Sequence, residues 1–173
     1  MSLMSTPALI AQNNMRVLAV DPGYDRIGLA VMEYQNGVEK LLYSTCVLTD
    51  KETEINHRIQ MVGNVITQTI NDHAVDTLGI ETLFFNKNVK TAMGVAQARG
   101  VIIFAAMQAG CAVYEFSPQA IKIATTGYGN SDKVAVTAMV KQLIPDVPSD
   151  ALDDEYDAIA VGITCLAHFG RKA

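Results

Sequence analysis

The chain has 173 residues, of which 50% are hydrophobic and 18% charged, and its formal net charge is −5. This length and composition fit one globular domain with a sizeable core and exclude a disordered or fibrous chain. The net acidity, taken alone, argues against a nucleic-acid partner. We expect residues 15–173 to form a single domain, and residues 1–14, which carry no charged side chain, to be a leader outside the fold.

The first third of the chain predicts three antiparallel strands. Residues 15–21 form a short apolar run that ends at Pro22-Gly23, which is typical of a buried central strand. Residues 26–34 predict the second strand and residues 38–48 the third. Asn36-Gly37 lies between these two runs and is a typical hairpin turn.

The rest of the chain alternates helices and strands. Helical spacing of apolar residues and a capping pair at Ser117-Pro118 mark the helices. The predicted helices cover residues 52–71, 89–109, 131–143 and 150–169, with another beginning at Ser117-Pro118. The predicted strands cover residues 75–81 and 111–116. The whole pattern predicts an α/β fold with a mixed five-stranded sheet covered by helices on both faces.

Charge is unevenly distributed along the chain. Residues 84–141 contain six basic and two acidic residues, whereas residues 145–157 contain six acids and no base. An acidic cluster beside a basic segment suggests a bound metal that faces a polyanion, although on charge counts alone a solvated acidic loop is the preferred explanation. The six basic residues are Lys87, Lys90, Arg99, Lys122, Lys133 and Lys141.

Two carboxylates close apolar strands. Asp21 ends the first strand and Glu81 ends the fourth. If these strands are parallel neighbours, the two side chains lie next to each other at the carboxyl edge of the sheet. Each residue also has an ordinary structural interpretation, because Asp before Pro-Gly is a common turn residue and a strand-terminal Glu is usually solvated.

Asp154 and Asp157 are three residues apart and therefore share one face of the last predicted helix. The helix dipole favours acids in a first turn, which explains Asp150 and Asp153 and extends to Asp154. The dipole does not explain Asp157, which the predicted helix places about two turns in. Because Asp153 lies four residues before Asp157, the choice between Asp153 and Asp154 as its neighbour at a site stays open.

Four converging carboxylates would repel one another unless a cation lies between them. Oxygen ligands favour a hard divalent ion, so we expect Mg²⁺, with Mn²⁺ as a substitute. Two such ions about 4 Å apart can hold a phosphate oxygen, generate a hydroxide and stabilise the leaving oxyanion, and we expect two ions per site. Lys133, beside the glycine loop, could stabilise the developing charge, although an ordinary exposed lysine is commoner.

Cysteine and histidine usage indicates a reducing compartment and argues against a zinc site. Cys46, Cys111 and Cys165 are odd in number and lie in apolar segments, as reduced cysteines of cytoplasmic proteins do. The three histidines share no zinc-ligand spacing with one another or with the cysteines. We expect a cytoplasmic protein with no membrane partner, because no apolar run reaches membrane-spanning length and no signal peptide opens the chain.

Six short motifs in a fixed order carry a family resemblance. They are DPG, IETLF, AQARG, SPQAIK, GNSDK and DDEYDAIA. With them, from about Met15 to His168, the chain resembles the RuvC family of Holliday junction resolvases. The resemblance implies an RNase H-like fold and divalent-metal-dependent cleavage of two opposed strands of a four-way DNA junction in recombination and repair. It also implies a homodimer, and it leaves a branch-migration motor complex open as a further partner.

The resemblance also assigns roles to residues. The metal-binding acids of the family fall on Asp21, Glu81, Asp154 and Asp157. Its basic residues fall on Lys122 and Lys133, and we expect Lys87 and Lys90 to contact DNA as well. Phe84 occupies the position of an aromatic that stacks at the junction crossover, and a core role stays open because Phe85 adjoins it.

A homodimer would place two active sites around the two-fold axis of a four-way junction. The small-residue helix over 89–109 is the candidate interface, with packing onto the sheet as the alternative role. Tyr24 departs from the family pattern, in which a small or hydroxyl-bearing residue more usually follows DPG.

Other functions compete with this one. The opening DPGYDRIGLAV also resembles the YqgF family of RNase H-fold nucleases, which is thought to act on RNA. A catalytically silent junction-binding protein would share the fold. An actin-like or sugar-kinase domain also begins with an acid and a glycine turn, but this chain is too short for the second lobe of that class. The later motifs favour RuvC, and the four candidate ligands favour an active enzyme.

Overall fold

The computed structural model describes residues 14–83 and 89–169, and it describes side chains for 15–83 and 92–169. The strands are β1 (Asn14–Asp21), β2 (Arg26–Gln35), β3 (Val38–Leu48), β4 (Thr77–Glu81) and β5 (Ala112–Phe116). The helices are α1 (Ile55–His73), α2 (Val89–Gln108), α3 (Pro118–Thr126), α4 (Lys133–Leu143) and α5 (Asp153–Phe169). The predicted order of elements is therefore confirmed.

The five strands form one mixed sheet in the order β3-β2-β1-β4-β5. β1, β2 and β3 are antiparallel neighbours, whereas β4 runs parallel to β1 and β5 parallel to β4. Asn36 and Gly37 both have positive φ, 54° and 82°, as the tight hairpin turn between β2 and β3 requires. The Ser117 side chain accepts a hydrogen bond from the Ala120 N–H at 3.1 Å and caps α3.

Both faces of the sheet are buried. Side chains alternate along a strand, so Val17 and Ala19 pack on the side of α3, α4 and α5, while Leu18 and Val20 pack on the side of α1 and α2. All four residues are 0% exposed. The prediction of helices on both faces is confirmed.

α5 lies close to the sheet because small residues face it. A β-carbon on Gly28 of β2 would overlap the carbonyl oxygen of Asp154, and one on Gly79 of β4 would lie 3.3 Å from the β-carbon of Cys165. These close approaches place the first turn of α5 beside β2 and its last turns beside β4. α5 thus spans the middle of the sheet on one face.

Several predicted boundaries differ from the structure by one to three residues. β1 begins at Asn14, one residue inside the predicted leader, and residues 1–13 lie outside the described part. α5 begins at Asp153, three residues later than predicted, because a turn closes between Pro148 and Ala151. No helix within the described ranges is long and apolar enough to cross a membrane.

Candidate active site

The ends of β1 and β4 bring two carboxylates together. The parallel register pairs Val20 with Ile80, so Asp21 and Glu81 are the next residues on neighbouring strands. Asp21 has the same side-chain direction as Val17 and Ala19, so it projects toward the face that α5 covers. The predicted meeting of the two acids at this edge of the sheet is therefore what the strand pairing produces.

Burial and repulsion by neighbouring acids raise the pKa of both of these carboxyl groups. Burial, with the charges of Asp157, Glu81 and Asp154, raises the pKa of Asp21 to about 7. Burial, with the charge of Asp157, raises the pKa of Glu81 to about 7, although Lys122 acts in the opposite direction. A site that makes ionised carboxylates this unfavourable is suited to a cation.

Asp157 is held by a lysine from the neighbouring helix. Lys133 Nζ donates to Asp157 Oδ2 at 2.9 Å and lies 3.6 Å from Asp153 Oδ2. Burial lowers the pKa of Lys133, but its bonds to these two acids outweigh burial and raise it, so the ammonium stays charged. Lys133 is the first residue of α4, and the side chain of Asp132 caps that helix by accepting the Ala135 N–H at 2.8 Å.

Asp154 is held by an arginine that sequence reasoning missed. Arg26, the first residue of β2, donates from Nε to Asp154 Oδ2 at 2.9 Å and forms an ion pair with it through a second nitrogen. Burial raises the pKa of Asp154, but the hydrogen bonds from Arg26 outweigh it and lower the pKa. These partners are 128 residues apart in the chain, so no local signal could have paired them.

The acidic residues at the start of α5 divide into three roles. Asp153 is 74% exposed and faces solvent and Lys133. Asp154 and Asp157 are half-buried, and the charges of both raise the pKa of Asp21. Glu155 is buried and structural: it accepts hydrogen bonds from Ser44 Oγ at 2.6 Å and from the Leu152 N–H at 3.0 Å, which fixes the start of α5 on β3. Asp157 therefore lies just past the first turn, not two turns in as predicted.

A buried arginine anchors the loop that follows Asp21. Arg58 of α1 is 7% exposed, forms an ion pair with Asp25, donates to the Tyr24 carbonyl at 3.0 Å and lies 4.7 Å from the centre of the Tyr24 ring. A sequence signal for it existed, because Arg58 occupies a core-facing position, three residues after Ile55 and four before Val62. Tyr24, the departure from the family pattern, packs against Gly94 of α2.

The predicted basic residues have different environments. The positive charge of Lys122, in α3, lowers the pKa of Glu81 and so partly offsets the effect of burial. Arg99 donates to the Glu81 carbonyl at 3.3 Å and pairs with Glu115, and Lys141 lies 5.0 Å from the centre of the Tyr156 ring. Phe84 and Lys87 lie outside the described residues, as does the side chain of Lys90.

The donor set fits a hard divalent cation. Asp21, Glu81, Asp154 and Asp157 offer only carboxylate oxygens, the ligands that Mg²⁺ and Mn²⁺ prefer. In the described part of the chain, no three His, Cys, Asp or Glu side chains have positions from which they could hold one ion together. Asp154 instead forms an ion pair with Arg26, and Asp157 forms one with Lys133. Each of these two acids therefore already has a cationic partner.

We expect Asp21→Asn to stabilise the metal-free protein as pH rises. The folded-state pKa of Asp21, about 7, is above its ordinary value of 3.8, so its contribution to stability is present below about pH 4 and is lost as pH rises through 7. Thermal unfolding in EDTA should show that Asp21→Asn raises the melting temperature, and that the gain grows from pH 4.5 to pH 8. We expect about 2–4 °C for each kcal/mol by which the variant increases the free energy of unfolding. A gain independent of pH would contradict the proposed burial of charge.

Carboxylates at the adjoining ends of β1 and β4 and on α5, on a sheet ordered β3-β2-β1-β4-β5, define the class of RNase H-like nucleases. Residues 17–165 match the family described as crossover junction endodeoxyribonuclease RuvC. The chain belongs to this RuvC family. The predicted preference for RuvC over YqgF and the predicted fold class are thus confirmed.

Similar proteins cover nearly the whole chain. The crossover junction endodeoxyribonuclease RuvC of Clostridioides difficile is 40% identical over 157 residues, which are 91% of this chain and 92% of that protein. The structure of Thermus thermophilus RuvC has a TM-score of 0.81 and 25% identity, and covers 90% of this chain and 97% of its own. The same protein in complex with a Holliday junction substrate has a TM-score of 0.80 and 26% identity, with coverage of 87% and 92%.

Proposed function

We propose that this chain resolves four-way DNA junctions by metal-dependent hydrolysis of phosphodiester bonds at Asp21, Glu81, Asp154 and Asp157. The observation that carries the proposal is the meeting of two half-buried acids, Asp21 and Glu81, at the adjoining ends of the parallel strands β1 and β4. Support for the substrate comes from the T. thermophilus relative, which has been solved with a Holliday junction. The reducing cytoplasm is the proposed location, and a branch-migration motor complex is the proposed delivery partner.

The four acids would hold Mg²⁺ or Mn²⁺, with two ions per site proposed. Bound ions supply an activated water and stabilise the leaving oxyanion. Asp21 and Glu81 are fixed by the strand ends, whereas Asp157 and Asp154 are oriented by Lys133 and Arg26. The Lys133 ammonium is in place to offset negative charge that develops on a phosphate at these acids.

Asp154, not Asp153, is the proposed ligand. The Asp154 side chain is 20% exposed and its charge acts on Asp21, while the Asp153 side chain is 74% exposed. An active Asp153→Asn variant beside an inactive Asp154→Asn variant would agree with this assignment, and the reverse pattern would move the ligand to Asp153.

A cleavage assay tests the proposed function directly. The wild-type protein is incubated with a four-way junction, a linear duplex of the same arm sequence and a structured RNA, each with Mg²⁺ and with EDTA. We expect paired incisions in the junction alone, and only with Mg²⁺. Preferential cutting of RNA would support the YqgF-like alternative, and tight junction binding without cutting would support the silent-binder alternative.

The outer face of α2 supports a homodimer. Met93, Gly100, Phe104 and Met107 recur at a spacing that places them on one stripe of the helix. Met93, Phe104 and Met107 are 70%, 63% and 59% exposed, so the stripe is apolar and accessible. The opposite side of α2 packs onto the sheet through residues such as Ile102 and Ala106, so one helix can serve both proposed roles.

We expect Phe104→Glu to convert the proposed dimer into a monomer, because two symmetry-related copies would bury this charge at one interface. Light scattering after size-exclusion chromatography measures the mass, and a cruciform plasmid distinguishes paired cuts, which linearise it, from single nicks. Leu143→Glu is the matched control, since Leu143 is an exposed apolar residue of α4. A monomeric wild-type protein that still linearises the plasmid would overturn the dimer.

The salt dependence of junction binding tests Lys122. If Lys122 neutralises one phosphate, Lys122→Ala should lower the slope of log affinity against log salt by about 0.9. Lys40→Ala is the matched control, because Lys40 pairs in register with Glu33 near the opposite end of the sheet. Equal slopes for wild type and Lys122→Ala would remove Lys122 from the interface. The DNA contacts expected for Phe84, Lys87 and Lys90 stay predictions, which the corresponding alanine variants would test in the same assay.

A further inference from the structure

An exposed tyrosine lies on the loop that joins α3 to α4. Tyr128 is 63% exposed, although aromatic side chains are usually well buried. Asn130 Nδ2 donates to the Tyr128 hydroxyl at 3.5 Å, and among the described residues the acids and lysines of the candidate active site form no hydrogen bond with this side chain. Tyr128 is therefore an exposed aromatic ring that lies close in the chain to Lys133.

The loop holds this tyrosine in a defined position. The Tyr128 N–H donates to Thr126 Oγ1 at 3.1 Å, and the Tyr128 carbonyl accepts from Ser131 Oγ at 2.8 Å and from the Ser131 N–H at 3.2 Å. Ser131 is buried, and Gly127 ends α3 with a φ of 79°. Because the backbone is already ordered, a ligand of the ring would lose little loop entropy on binding.

The loop connects two helices that carry lysines of the candidate active site. α3 carries Lys122, whose charge lowers the pKa of Glu81, and α4 begins with Lys133, which donates to Asp157. Lys133 is five positions after Tyr128, so their α-carbons are within about 17 Å of each other. That span is about five base-pair rises of 3.4 Å. Bases up to about five nucleotides from a phosphate held near Lys133 are therefore within the range of the tyrosine.

We propose that Tyr128 stacks on an unstacked nucleobase within about five nucleotides of the cleaved phosphodiester, and so acts as a positioning residue for the DNA. The inference rests on the proposed function. Every base has a π-face, but within a regular duplex both faces are covered by neighbouring bases. A four-way junction has strand exchanges at which a base face can open. The cations Lys122 and Lys133 favour a polyanion in this region, and the nearby Asp132 carboxylate is engaged in capping α4.

Junction binding and cleavage by Tyr128→Ala and Tyr128→Phe test the proposal. We expect Tyr128→Ala to weaken junction binding by about 5- to 100-fold without changing the salt slope, and Tyr128→Phe to restore it. The melting temperature should stay near that of the wild type, because the side chain is mostly exposed. Tyr43→Ala is the matched control, since Tyr43 is an exposed aromatic on the edge strand β3.

Photocrosslinking locates the contact. Junctions with 5-iododeoxyuridine placed in turn at each of about five nucleotides on either side of the cleaved phosphate should include one that crosslinks to Tyr128 in the wild type and not in Tyr128→Ala. A Tyr128→Ala variant that binds and cuts junctions like the wild type would overturn the inference, as would crosslinks that map only to other residues. Failure of the wild-type protein to bind or cut junctions would instead contradict the proposed function.

Discussion

Asp21→Asn is expected to reduce junction cleavage by about 10²- to 10⁴-fold while junction affinity stays within a few-fold of the wild type. The substitution keeps the shape of the side chain but removes the charge that would hold a divalent ion, and metal catalysis is worth several kcal/mol. The negative charges of Asp157, Glu81 and Asp154 all raise the pKa of Asp21, so a cation near Asp21 would act on the charge of the whole group. Single-turnover cleavage and electrophoretic mobility shifts measure the two quantities separately.

Related variants define how specific this effect is. Glu81→Gln and Asp157→Asn should show the same loss, since both remove an acid that shares the site with Asp21. Asp153→Asn is the matched control, because it also removes one aspartate charge from the first turn of α5, but at an exposed position. Cleavage by Asp21→Asn at half the wild-type rate or more would exclude Asp21 as a ligand.

Lys133→Ala is expected to lower the cleavage rate by about two orders of magnitude and to weaken binding much less. A cation aimed at charge that develops in the transition state acts mainly on the rate. Lys133 is 2.9 Å from Asp157, and its ammonium stays charged because the contacts with Asp157 and Asp153 raise its pKa. The rate loss should persist at saturating Mg²⁺, where a purely positioning effect on Asp157 would be compensated.

The comparison with Lys122→Ala separates the two lysines. Lys122→Ala is expected to act on affinity and its salt slope, and Lys133→Ala on the rate. Equal losses of affinity and rate in Lys133→Ala would show that this lysine is a phosphate contact with no further role in the chemistry.

Much of the fold could be predicted because its signals are local. The hairpin follows from Asn36-Gly37, whose two residues both adopt positive φ, and the start of α3 follows from Ser117-Pro118. The strand ends at Asp21 and Glu81 follow from apolar runs that stop there. The predicted start of α5 is three residues too early. The helix begins where Glu155 accepts hydrogen bonds from Ser44 and from the Leu152 N–H. Ser44 is 111 residues away, so this contact leaves no local pattern.

The amino-acid sequence by itself determined the order of the elements, the mixed sheet and the family, because periodicity, turn residues and motifs are written in short segments. Only the tertiary structure decided which acids of the C-terminal segment face Asp21 and which are structural or solvated. That division depends on the rotation of α5 about its axis, which the approach to Gly28 and the anchoring of Glu155 set. The pairing of Asp154 with Arg26 likewise depends on distance in space between residues remote in the chain.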